Sequence, residues 1–151
     1  MFYLDMEIIN RSNLHLLLNK KLGALMKVML IDDSKTIRKS VELYMKESGH
    51  DVILATDGYE ALCKISEHHP DLIFVDITMP RLDGYQTCAL IKQNHRYKNI
   101  PVLMLSSKSG LFDKAKGRVV GADDYLTKPF TKNSLLETID KFSMNESLTV
   151  V

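Results

Sequence analysis

The 151-residue sequence predicts a doubly wound α/β domain, in which helices cover both faces of a five-stranded parallel sheet. Two observations favour this fold class. Five short apolar runs alternate with five helical patterns between Lys27 and Phe142. The runs are apolar throughout instead of alternating with polar residues, which is typical of strands that are buried on both faces. The crossovers that join such strands are expected to be right-handed.

The first strand and helix follow an N-terminal extension. Residues 28–31 are an apolar run that ends at Asp32 and Asp33, so this run predicts the first strand. A helix is predicted next, and Gly49 is expected to be its C-cap. The residues that recur at helical spacing within it are Ile37, Val41, Tyr44 and Met45.

The rest of the domain repeats this alternation. The further predicted strands are residues 52–55, 72–75, 101–105 and 125–127. Three helices are predicted at residues 58–69, 84–94 and 111–119. Thr131 is the expected N-cap of a last helix that runs through Phe142.

The sequence divides into an extension (residues 1–26), a domain (27–142) and a C-terminal tail (143–151). Leucines at helical spacing predict a weakly amphipathic or poorly ordered extension that lacks the pattern of a signal peptide. Met26 is an alternative start of the chain, because the strand pattern begins just after it. The leucines that could share one helix face are Leu14, Leu18, Leu22 and Leu25.

Composition excludes several classes of protein. Twenty Lys and Arg against nineteen Asp and Glu argue against a nucleic-acid binder that works by bulk charge. No apolar run approaches the ~20 residues that a membrane span requires. Cys63 and Cys88 lie far apart and form no metal or redox motif, so we expect two free, buried thiols in a reducing cytoplasm.

Polar side chains fall where the predicted strands end. Asp32 and Asp33 follow the first strand, and Asp76 follows the third. Ser106 ends the fourth strand and Lys128 follows the fifth. These ends share one edge of a parallel sheet, where ligands of such folds bind. Three carboxylates together favour a hard divalent cation such as Mg²⁺, and Asp76 could then act as a phosphoryl-accepting nucleophile.

Each of these residues also has a purely structural interpretation. Asp32 or Asp33 could cap the helix that follows, and Asp76 could be a turn residue. Ser106 could be a loop hydroxyl and Lys128 a surface lysine. Taken singly the structural interpretation is favoured, but the joint placement at four strand ends favours a site.

The motifs resemble the receiver domain of bacterial two-component response regulators, a CheY-like domain, over residues 28–142. The matching segments are LIDDS at 30–34, FVDITMP at 74–80 with Asp83-Gly84, MLSS at 104–107 and YLTKPF at 125–130. Residues 80–92, 106–108 and 110–115 are closer still to stand-alone regulators of type IV pilus twitching motility.

The resemblance implies a flavodoxin-like strand order of 2-1-3-4-5 and a site for Mg²⁺. Asp76 would be the phospho-acceptor. Asp32, Asp33 and Asp76 would hold Mg²⁺ together with the backbone carbonyl of Thr78.

Three further roles follow from the same resemblance. Lys128 would pair with the phosphoryl group, and the peptide bond between Lys128 and Pro129 would be cis. Ser106 would be the switch hydroxyl and Tyr125 the switch aromatic residue.

The function implied is a single-domain phosphorelay protein of the cytoplasm. It would receive its phosphoryl group from a histidine kinase or histidine phosphotransfer domain, and would catalyse only its own Mg²⁺-dependent phosphorylation and dephosphorylation. No DNA-binding domain and no membrane span are expected, so output would come from binding a protein effector, for example in the pilus machinery. The basic residues Lys108, Lys114, Lys116 and Arg118 around the fourth helix, against Asp113, would suit an acidic partner surface.

Three alternatives remain at this point. A small-molecule phosphatase of the haloacid-dehalogenase type would carry a second acid two residues after its nucleophile, where this chain has Thr78. A flavodoxin-type electron carrier would have a phosphate-binding loop, not paired acids, after the first strand. A receiver-like binding module that never takes phosphate is less favoured, because every motif residue is present.

Overall fold

The computed structural model describes residues 25–107 and 110–148, with side chains described up to residue 143. Residues 1–24 of the predicted extension lie outside the described residues. The strands are β1 (Lys27–Ile31), β2 (Asp51–Ala55), β3 (Leu72–Asp76), β4 (Val102–Ser106) and β5 (Asp124–Thr127). The helices are α1 (Lys35–Ser48), α2 (Gly58–His68), α3 (Gly84–Gln93), α4 (Leu111–Val119) and α5 (Lys132–Leu148).

The five strands form one parallel sheet in the order β2-β1-β3-β4-β5, which confirms the predicted topology. The register brings the carboxyl ends of the strands to one edge. Ile31 of β1 pairs with Ala55 and Val75, and Asp76 of β3 pairs with Leu105. The residues that follow β1 and end β3 and β4 therefore meet at this edge.

The strands alternate between two apolar cores, one on each face of the sheet. Met29 and Ile31 of β1 pack in the core beneath α2 and α3, with Ile65 and Ile91. The neighbouring Val28 and Leu30 pack in the other core, against α1 and α5. The α1 and α5 residues buried there are Val41, Met45, Leu135 and Ile139. The central strands β1, β3 and β4 are almost completely buried, which explains their nearly continuous apolar runs, whereas the edge strands β2 and β5 are only partly buried.

Helix ends follow the local chemistry that the sequence indicated. Gly49 has φ 82° and its N–H donates to the Lys46 carbonyl, as expected for a left-handed C-cap. Thr131 accepts at Oγ1 from the Ser134 N–H (3.1 Å), which agrees with its predicted capping role.

The last helix differs from its predicted end. It continues to Leu148 instead of ending at Phe142, so the segment predicted as a tail begins in helical conformation. Met144 and Leu148 lie four residues apart in the sequence, a helical spacing that agrees with the longer helix and that the prediction ending at Phe142 did not use. At the other end, Met26 is only 3% exposed and packs with the core beside α1, although we assigned it to the extension.

The prediction of two buried thiols is right for Cys88 and wrong for Cys63. Cys88 lies on the inner face of α3, while Cys63 is exposed on α2. The inward positions of α2 are Ala61 and Ile65, and a residue midway between them points outward on a helix. None of the helices in the described part of the chain has the length and apolar character that a bilayer crossing requires.

Candidate functional site

Three acidic side chains meet at the carboxyl edge of the sheet. Carboxylate oxygens of Asp32, Asp33 and Asp76 all lie within 4.8 Å of one another. Asp32 is 0% exposed and Asp76 is 8% exposed, whereas Asp33 faces solvent. The sequence predicted this convergence, since Asp32 and Asp33 follow β1 and Asp76 ends the adjacent β3.

Lys128 bridges the two buried carboxylates. Its Nζ lies 2.6 Å from Asp32 Oδ2 and 3.4 Å from Asp76 Oδ1. The other Asp32 oxygen accepts the Ser34 N–H at 2.8 Å, so both Asp32 oxygens have donors. The Lys128–Pro129 peptide is cis, as the resemblance implied. Lys128 therefore compensates part of the buried negative charge.

The site keeps more negative charge than Lys128 offsets. The pKa of Asp76 is raised above its usual range, first by burial and then by the neighbouring charge of Asp32. Lys128 and the Thr78 N–H (3.4 Å from Asp76 Oδ1) act in the opposite direction.

This donor set fits Mg²⁺. Clustered carboxylate oxygens are the hard ligands that Mg²⁺ prefers, and the group contains neither His nor Cys as a zinc site would. Burial is the first cause of the raised Asp76 pKa, and a divalent cation would relieve the second cause, repulsion by Asp32. The role of the Thr78 carbonyl as a further ligand stays a prediction.

The loop after Asp76 is fixed by Gly84, the first residue of α3. The Gly84 N–H donates to the Ile77 carbonyl at 2.9 Å. A Cβ at Gly84 would lie only 2.3 Å from the Asp76 carbonyl oxygen and 2.8 Å from the Ile77 Cα. Asp83 caps α3 through a capping box with Gln86 and so fixes where the helix begins. Glycine is required here because the helix starts against the backbone of Asp76.

The two predicted switch residues lie beside α4. Ser106 is 5% exposed at the end of β4, and its hydroxyl donates to Asp113 Oδ2 at 3.4 Å. Tyr125 is half-buried on β5, with the Lys114 ammonium 5.8 Å from its ring centroid. Both residues thus connect the edge of the sheet with α4.

Sequence reasoning missed the contact between Asp113 and Tyr85. The Tyr85 hydroxyl donates to Asp113 Oδ1 at 3.1 Å, across 28 residues of sequence. We interpreted Asp113 only as a charge opposing the basic residues of α4. Nothing local in the sequence indicates this pairing, because it depends on how α3 and α4 are placed.

The predicted basic surface is present in part. Lys114, Lys116 and Arg118 are all exposed on α4. Lys116 lies with its ammonium 4.5 Å from the Tyr85 ring centroid, a cation–π contact. Lys108 lies outside the described residues.

Comparison with known families settles the class of protein. The family model described as the response regulator receiver domain matches residues 28–140. The chain belongs to this family. The receiver-domain match covers the whole acidic cluster and all five strands except Lys27, the first residue of β1. It therefore favours a receiver site over the electron-carrier interpretation, which rested on the fold alone, and over the phosphatase interpretation, which rested on an aspartyl-phosphate.

Relatives and solved structures of receiver domains agree with this. Protein PilG of Pseudomonas aeruginosa is 67% identical over 114 residues, which cover 76% of this chain and 84% of PilG. The crystal structure of the chemotaxis protein CheY4 of Vibrio cholerae has a TM-score of 0.76 at 35% identity, covering 79% of this chain and 99% of CheY4. The receiver domain of the sensor histidine kinase PA1611 of P. aeruginosa has a TM-score of 0.72 at 25% identity, covering 80% of this chain and 98% of that domain. It was solved with a magnesium ion coordinated in its active site cleft.

Proposed function

We propose that this chain is the response regulator of a phosphorelay and that Asp76 accepts the phosphoryl group. The observation that carries the proposal is the arrangement of Asp32, Asp76 and Lys128, with one ammonium shared between two buried carboxylates. The donor would be a phosphohistidine on a histidine kinase or a histidine phosphotransfer domain. Burial and the neighbouring charge of Asp32 raise the pKa of Asp76, an environment that supports a functional site that binds a cation.

In the proposed reaction, a carboxylate oxygen of Asp76 attacks phosphorus as the bond from phosphorus to the histidine nitrogen breaks. The electron pair of that bond leaves with the imidazole. Lys128, already 3.4 Å from Asp76 Oδ1, stabilises the negative charge on the phosphoryl oxygens. When bound by Asp32, Asp33, Asp76 and the Thr78 carbonyl, Mg²⁺ would neutralise further charge there. Attack of water on phosphorus later breaks the bond between phosphorus and the Asp76 oxygen, which releases inorganic phosphate and restores the free carboxylate.

Phosphorylation would be read by Ser106 and Tyr125. The Ser106 hydroxyl would turn to hydrogen-bond a phosphoryl oxygen, and the Tyr125 ring would move into the space that this vacates. The new charge thereby biases a two-state element, which is how such local switches act at a distance. The proposed chemistry is limited to forming and hydrolysing the protein's own aspartyl-phosphate, so the chain would work as a signalling protein. We place it in the cytoplasm.

Output would come from protein contacts on the surface of α4, β5 and α5. The exposed Lys114, Lys116 and Arg118 suit an acidic partner surface. Similarity to PilG supports a pathway of twitching motility or a related chemosensory pathway, with an effector in the pilus machinery.

The test is an intact-mass measurement after incubation with Mg²⁺ and acetyl phosphate. We expect the gain of one phosphoryl group, which is lost in EDTA and lost in the Asp76→Asn variant. Glu137→Gln removes one negative charge, as Asp76→Asn does, but at an exposed position on α5, and this variant should still gain the phosphoryl group. The proposal fails if the folded protein gains no phosphoryl group from either acetyl phosphate or a phosphorylated histidine phosphotransfer domain.

A further inference from the structure

Helix α4 has little apolar packing to hold it in place. Gly117 is the buried residue of α4, while Leu111 is 87% exposed, Phe112 78% and Val119 86%. Elements with few buried apolar contacts open at low free-energy cost. Polar contacts should therefore contribute more to holding α4 in position than they do for a helix with a buried apolar face.

Asp113 provides two such contacts from the first turn of α4. Its Oδ1 accepts the Tyr85 hydroxyl at 3.1 Å, and its Oδ2 accepts the Ser106 hydroxyl at 3.4 Å. The helix N-terminus favours a negative charge at this position. Burial and the Asp113 carboxylate raise the pKa of Tyr85 to about 12, so its phenol remains a donor at neutral pH.

Tyr85 and Ser106, the two donors, belong to backbone segments that lie next to Asp76. Tyr85 directly follows Gly84, whose Cα packs against the Asp76 carbonyl. Ser106 ends β4, the strand that pairs with β3. Asp113 thus ties α4 to the two elements that flank Asp76.

We propose that Asp113 is a positioning residue that holds the Ser106 hydroxyl on α4 until a phosphoryl group on Asp76 competes for it, so that phosphorylation loosens α4. The inference rests on the proposed function, in which Ser106 binds the phosphoryl group. A serine hydroxyl has one proton to donate, so the Asp113 bond and a phosphoryl bond exclude each other. The long 3.4 Å contact is a weak hydrogen bond, and a doubly charged phosphoryl group is the stronger acceptor.

The first test measures the affinity for beryllium fluoride, a phosphoryl mimic, in the presence of Mg²⁺. Asp113→Ala removes the competing acceptor, so we expect about five-fold tighter binding, as when a binding-competent state becomes more populated. Asp113→Asn keeps one acceptor oxygen and should lie between the alanine variant and wild type. Glu137→Gln, the matched charge change on α5, should leave the affinity unchanged. Equal or weaker binding by Asp113→Ala would overturn the proposal.

The second test measures amide hydrogen exchange of α4 in the Asp76→Asn background, where no phosphorylation occurs. We expect about ten-fold faster exchange of α4 when Asp113→Ala is added, which corresponds to the loss of one net hydrogen bond. Unchanged exchange would overturn the role of Asp113 in positioning α4. Failure of the proposed function would be seen in a different measurement, because wild type would then gain no phosphoryl group. Faster exchange of α4 in the Asp113→Ala variant would in that case still support the contacts of Asp113.

Discussion

The acidic cluster and the first turn of helix α4 both lie near the carboxyl edge of the sheet, but the cluster and the helix are held in opposite ways. Asp32 and Asp76 are buried at strand ends, and Lys128 contacts both. Helix α4 buries Gly117 and exposes most of its apolar side chains. The two carboxylates and the ammonium are thus held in place before any ligand binds, which is what electrostatic catalysis requires of such groups. The neighbouring helix is free to respond, because little packing energy opposes its movement.

The largest effect should come from removing the shared ammonium of the acidic cluster. We expect Lys128→Met to lower the free energy of unfolding by about 3 kcal/mol at neutral pH, because it leaves two buried carboxylates without their cation. On α4, the exposed Lys114→Met should change it by no more than about 0.5 kcal/mol. Urea unfolding in EDTA measures both. If Lys128→Met and Lys114→Met lowered the free energy of unfolding by similar amounts, the acidic cluster and α4 would not differ in how they are held.

Two buried glycines give a matched pair for the same comparison. At Gly84 a methyl group would meet the Asp76 carbonyl oxygen at 2.3 Å, so Gly84→Ala should cost about 2–3 kcal/mol. At Gly117 the nearest atoms, on Ala122 and Met104, would be 3.6 Å away, which is ordinary contact. Gly117→Ala should therefore gain up to about 1 kcal/mol from helix propensity. Urea midpoints of the two variants should move in opposite directions, and a loss at both positions would contradict this.

The acidic cluster could be predicted from the sequence because each of its members follows a local pattern. Apolar runs locate the strand ends, and parallel topology brings Asp32, Asp76 and Lys128 to one edge. The strand order and the cis Lys128–Pro129 peptide came from the resemblance and are confirmed. The positions of these side chains are observed, but the roles of all the site residues, Thr78 and Tyr125 included, stay predictions.

The region around α4 could not be predicted to the same depth. The bond from Tyr85 to Asp113 joins residues 28 positions apart, and neither residue has a local pattern that demands a partner. The outward position of Cys63 likewise depends on which side of α2 faces the sheet. Long-range polar pairs and helix rotation arise from tertiary packing, on which a single sequence carries little signal.

A smaller effect than that of Lys128→Met is expected from Asp76 itself, and here the change should raise the free energy of unfolding, not lower it. Because the folded state raises the pKa of Asp76 above 3.8, it favours the protonated form. The stability that this group contributes is fully present below pH 3.8 and is lost as the pH rises through the folded pKa. At pH 7 in EDTA, Asp76→Asn should therefore be more stable than wild type by about 0.5–2 kcal/mol.

Urea unfolding at pH 7 and near pH 4 tests this sign. The advantage of Asp76→Asn should shrink towards the acidic end, where wild-type Asp76 becomes protonated. Glu137→Gln, exposed on α5, should show neither the gain nor its pH dependence. Added Mg²⁺ should stabilise wild type more than Asp76→Asn, because the variant lacks one of the three clustered carboxylates. If Asp76→Asn were less stable than wild type at pH 7 in EDTA, the ionised Asp76 carboxylate would stabilise the fold even without a cation. The acidic cluster and α4 would then differ only in how well they are packed.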